Sequence, residues 1–89
     1  LVNRAFLISG CVQGVFFRDS TKKEALKLGL QGCAVNISDG TVKVCLRGVS
    51  EDIDLLVRWL YKGPELAKVE SVIEVDIDQQ LELNGFKVG

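Results

Sequence analysis

Ala5-Phe6-Leu7-Ile8-Ser9-Gly10-Cys11-Val12-Gln13-Gly14-Val15-Phe16-Phe17-Arg18 passes from one structural period to another within a few residues. Over residues 2 to 9 the side chains alternate, with Phe6 and Ile8 on one side of an extended segment and Leu7 on the other, which is the period of a strand. A loop with two glycines, two adjacent phenylalanines and one arginine follows. Thr21 then opens a T-x-x-E pattern with Glu24, Ala25 and Leu28 fall one turn apart, and Gly29 stands where a left-handed residue closes a helix. The expectation is strand, loop, then a helix over residues 20 to 28.

Outward from this unit the periods keep alternating. Residues 32 to 38 and 41 to 47 read as strands around Asp39-Gly40, a dipeptide suited to a two-residue hairpin turn. Ser50 is placed to cap a second helix, Glu51 and Asp52 suit its positive end, and Ile53, Leu56, Val57 and Leu60 recur on one face before Gly63-Pro64 stops it. Val69, Ser71, Ile73, Val75 and Ile77 alternate with Glu70, Val72, Glu74, Asp76 and Asp78, giving a strand with one wet face, and the short Gly85-Phe86-Lys87-Val88 reads as its neighbour. The order βαββαβ with an extra short strand predicts an α+β fold of ferredoxin-like type: an antiparallel sheet with two helices on one face. Residues 1–89 are expected to form one domain.

Composition narrows the function. With 11 basic and 12 acidic residues the net charge is −1, so no broad electropositive field exists to attract a nucleic acid, and any anion must be captured locally. No apolar run is long enough to span a bilayer. The chain has no histidine, which removes the Ser-His-Asp and Cys-His arrangements and the commonest transition-metal ligand. Cys11, Cys33 and Cys45 form no CxxC pair; they read as reduced thiols, and a cytoplasmic location with no metal, no cofactor, no membrane and no nucleic-acid partner is expected.

The loop itself carries the chemistry. Gly10 and Gly14 let the main chain curl toward the positive N-terminus of the first helix, a nest suited to a phosphate-sized anion. Arg18 adds a planar fork that grips two phosphate oxygens at once. Asn36 lies late in the second strand, at the same edge of the sheet as the loop, so two polar groups converge there. One of the two phenylalanine rings is expected to pack beneath the loop.

At these residues the chain resembles the acylphosphatase family. The pattern G-x-V-Q-G-V-x-F-R is present as Gly10 to Arg18, and Gly32, Asn36, Gly40, Val42 and Gly48 match a second run. Leu28-Gly29-Leu30 and Trp59-Leu60 before Gly63-Pro64 extend the likeness over nearly the whole chain. The resemblance implies metal-independent hydrolysis of the carboxyl-phosphate bond. Arg18 and the loop residues Val12, Gln13, Gly14, Val15, Phe16 and Phe17 would hold the phosphoryl group, and Asn36 would position the attacking water. Inorganic phosphate is then both product and inhibitor, and the protein a monomer. Cys11, Cys33 and Val35 depart from the residues usual in that family, and two possible positive charges near the site are lost with them.

Three other readings compete. In cysteine-dependent phosphatases the interval from cysteine to arginine is one residue shorter than from Cys11 to Arg18. RNA recognition by this architecture wants rings on the central strands, and Thr41 to Arg47 has none. A non-catalytic module of the same fold that binds phosphate or an acyl phosphate is the remaining alternative.

Overall fold

Period-2 burial along one strand and period-3.6 burial along one helix set the frame. In β1 (Val2–Cys11), Phe6 and Ile8 are buried on one face, and in α1 (Phe17–Lys27) the buried residues are Phe17, Thr21 and Ala25, one turn apart. The computed structural model describes residues 1–89 and continues with β2 (Gln31–Asn36), β3 (Val42–Gly48), α2 (Ser50–Lys62), β4 (Lys68–Val75) and β5 (Phe86–Val88). The strands form one sheet in the order β4-β1-β3-β2-β5. Ile53, Leu56 and Leu60 of α2 meet Phe6, Ile8, Val44 and Leu46 in the same core as Phe17 and Ala25, so both helices cover one face. No helix is long and apolar enough to cross a membrane.

The ferredoxin-like expectation holds, with corrections of detail. The sheet is mixed, because β5 runs parallel to β2. That also separates β5 from β4, its expected neighbour: β4 pairs with β1 at the opposite edge. Length is the physical reason, since residues 76 to 85 are enough chain to cross the end of the sheet and seat Phe86 beside Gly32.

Along β4 the expected faces are exchanged. Pairing of Ile8 with Val72 turns Val72 toward the helices and leaves Ile73 57% exposed on the other face. A bulge where Ser9 and Gly10 meet β4 then inserts Glu70 and returns Val69 to the core side. Gly10 belongs to this bulge and not to the loop's curl: at φ 122°, a Cβ there would lie 2.1 Å from the Lys68 carbonyl oxygen.

Neither helix uses its expected cap. Thr21 lies inside α1, buried, with its hydroxyl donating 2.8 Å to the Phe17 carbonyl. Ser50 is the first residue of α2, after Val49. The hairpin is a three-residue loop: Gly40 N–H donates to the Ile37 carbonyl, Ile37 N–H to Thr41, and only Gly40 takes a positive φ. Asp39 instead accepts from the Thr41 hydroxyl and N–H, which hold its carboxyl below the usual range. Gly29 closes α1 at φ 71° and Gly63 ends α2, as expected.

Candidate active site

The loop between β1 and α1 is anchored below and braced sideways. Val12 and Phe17 are each 1% exposed, and the Phe17 ring packs 5.9 Å from that of Trp59, so Phe17 is the ring beneath the loop. Gln13 Nε2 donates to the carbonyls of Ile37 at 2.8 Å and Thr41 at 2.9 Å, which ties the loop to the β2–β3 hairpin. This brace commits the Gln13 side chain, so the loop contact expected of Gln13 falls to its main-chain N–H.

Between those anchors the main chain curls. Gly14 has φ 74° and Phe16 φ 62°, two left-handed residues close together. From Gln13 to Asp19 no main-chain N–H donates to a main-chain acceptor, and no side chain caps the helix; the first such bond is Ser20 N–H to the Phe16 carbonyl. The first turn of any helix leaves its N–H groups free, and here the curl adds those of the loop. Five of these residues, Gly14, Phe16, Phe17, Arg18 and Asp19, line a pocket of about 250 Å³ together with Val12.

Arg18, in the first turn of α1, is half-buried in that lining. Its Nη1 donates to the Gly89 main-chain oxygen, while Gly89 N–H donates 3.0 Å to the Ala34 carbonyl of β2. The chain after β5 therefore holds one arm of the guanidinium and leaves its other donors without a protein partner. Nothing in the sequence marked this contact, because it depends on β5 lying beside β2. Asp19 also lines the pocket without having been singled out. Its place in the first turn of α1 was the available signal.

Asn36 is the last residue of β2, exposed and paired with Val42, which puts it on the same side of the sheet as Ala34 and the helices. It stands outside the six lining residues, one position before the Ile37 carbonyl that Gln13 grips. The structure thus brings Val12, Gly14, Phe16, Phe17 and Arg18 to one pocket, while Asn36 stands outside its lining. Val15 is half-buried against the core. Cys11 ends β1, exposed and outside the lining; Cys33 and Cys45 face each other across β2 and β3 on the face away from the helices.

A family model described as acylphosphatase matches residues 4–88. The chain is 46% identical over 86 residues to an acylphosphatase of Alkalilimnicola ehrlichii, covering 97% of this chain and 96% of that one. An acylphosphatase structure from Coxiella burnetii superposes with a TM-score of 0.90 at 36% identity, over 99% of this chain and 92% of that one. T. kodakarensis HypF matches at TM-score 0.87 and 27% identity, over 100% of this chain and 12% of its own length.

Proposed function

The chain belongs to the acylphosphatase family and is a hydrolase of acyl phosphates, and from that premise we propose the roles of its residues. The phosphoryl group sits on the free N–H groups of Gln13 to Asp19, and Arg18 holds two of its oxygens. Asn36 holds the water in line with the bond to be broken. The water oxygen bonds to phosphorus as the phosphorus–oxygen bond to the acyl group breaks. A carboxylate and inorganic phosphate leave, with the water's proton passing to a phosphoryl oxygen.

Acyl phosphates carry a good leaving group, so the protein has to supply mainly placement and charge stabilisation. The donors already present supply both without a metal or a side-chain base. One observation carries this reading: a run of N–H donors with no acceptor of their own, ending at a guanidinium. At 46% identity over nearly full length to a named acylphosphatase, the non-catalytic alternative is not favoured. The protein is read as a monomer acting on small acyl phosphates in the cytoplasm, in keeping with its three free cysteines, and residues 1–89 as one domain, with one core beneath one sheet.

The test is hydrolysis of acetyl phosphate and benzoyl phosphate by purified protein in the presence of a chelator, with inorganic phosphate as competitor. Turnover that needs added metal would remove the metal-free mechanism. Failure of phosphate to compete would remove the loop as the phosphoryl site.

A further inference from the structure

The two adjacent phenylalanines part company. Phe17 turns into the core, whereas Phe16 is 71% exposed and lines the pocket beside Arg18 and Gly14. Phe16 is also the one non-glycine residue with positive φ, at φ 62° and ψ 23°. That conformation is disfavoured for an L-residue, and phenylalanine lacks the short polar side chain that lets asparagine or aspartate offset the cost locally. Glycine would adopt it freely, as Gly14 does two positions earlier. The chain therefore holds a large apolar ring in strained backbone and outside the core. Strain of this kind persists where the surrounding structure enforces it and gathers at ligand sites.

The pocket's remaining groups account for only half of a substrate. Free N–H donors and Arg18 answer the phosphoryl end, while Val12 and Phe17 are each 1% exposed and Asp19 is an acid, so none of them offers an apolar surface to the acyl end. With the phosphoryl group against the curl, the carbonyl substituent has to leave through the open side, where the Phe16 ring stands. We infer that Phe16 is the acyl-group contact, selecting acyl phosphates with an aryl or bulky apolar substituent over acetyl phosphate by ring-against-substituent packing. The inference rests on the phosphoryl-binding role proposed for the loop. Aromatic pairs and the burial that accompanies them are large enough to be read in kinetics.

The experiment compares kcat/KM for benzoyl phosphate with that for acetyl phosphate in the wild type, Phe16→Gly, Phe16→Asn and Phe16→Leu. Glycine and asparagine tolerate the left-handed backbone, so they remove the ring while the curl stays. The expected result is a wild-type ratio well above one that drops about tenfold in both variants through a higher KM for benzoyl phosphate, with leucine between. A ratio that stays at the wild-type value, whether activity is kept or lost equally on both substrates, overturns the inference while leaving the loop's role intact. A wild type that hydrolyses neither substrate overturns the acylphosphatase reading and this inference with it.

Discussion

Polar groups gather at both ends of β1, and the two gatherings are built for opposite ends. At its start, Asn3 is 1% exposed and every arm of it is occupied: Nδ2 donates to the carbonyls of Asp78 and Leu81 at 2.9 Å each, Oδ1 accepts from Arg47 at 3.0 Å, and its main chain exchanges two bonds with the Gln79 side chain. At its other end, the loop of Gln13 to Arg18 keeps its main-chain donors unpaired beside a pocket. A closed set of hydrogen bonds fixes a crossing segment and has no capacity left. An open set leaves donors that can still take an acceptor. The contrast separates hydrogen bonds that only hold the fold from donors left to spare.

Substitutions at the open end should move turnover and leave stability nearly unchanged. Arg18→Lys is expected to lower kcat/KM on acetyl phosphate by about 10²–10³-fold, because an ammonium cannot reproduce a two-point grip on the phosphoryl oxygens; steady-state kinetics with a thermal melt alongside check it. Near-wild-type turnover would dissolve the contrast from its functional side. Asn36→Ala is expected to cost about 10²-fold in kcat while the inhibition constant for inorganic phosphate shifts less than about threefold, a division that marks water placement and not phosphate binding.

The closed end should behave in reverse. Asn3→Ala leaves two carbonyls and the Arg47 donor without their partner in a partly buried setting, so unfolding free energy should fall by roughly 1–3 kcal/mol by chemical denaturation while KM for acetyl phosphate holds. A large loss of kcat without a loss of stability would show that the two ends are not independent. The smallest effect belongs to Arg4, which donates to Glu74 through Nε and Nη2 at 3.0 and 2.9 Å and to Asp54 at 2.7 Å, bracing β1, β4 and α2. Hydrogen bonding from Arg4 holds the Glu74 carboxyl below its usual value of 4.5. A depressed carboxyl stabilises the fold above its unfolded pKa, so this contribution is full above about pH 5 and fades as pH falls through the lowered value. Glu74→Gln should flatten that acid limb by under about 1 kcal/mol, since the carboxylate is half exposed.

Much of this was legible in the chain. The strand–loop–helix start, the βαββαβ order, the helix ends at Gly29 and Gly63 and the burial of one of the paired rings all follow from local periodicity and from backbone needs that a few neighbouring residues express. That Arg18 and Gly14 would come together was legible because a glycine-bearing curl before a helix has a geometry of its own, and both line one pocket. The errors share one cause. Thr21 and Ser50 resemble caps, and the faces of β4 resemble a regular alternation, but the start of α1 follows the strained curl and the faces of β4 follow a bulge against β1.

The order of residues alone settled which segments extend, which coil, and where a curl with an arginine at its exit would form, because those features depend on interactions within a turn or two of the chain. Tertiary structure alone settled that β5 crosses to the edge beside β2 and brings the Gly89 oxygen to Arg18, that Gln13 spends its amide on the hairpin, and which of the two phenylalanines faces in. Each of those pairs residues far apart in the chain or divides near neighbours between core and solvent, and only the packed sheet determines which partners meet.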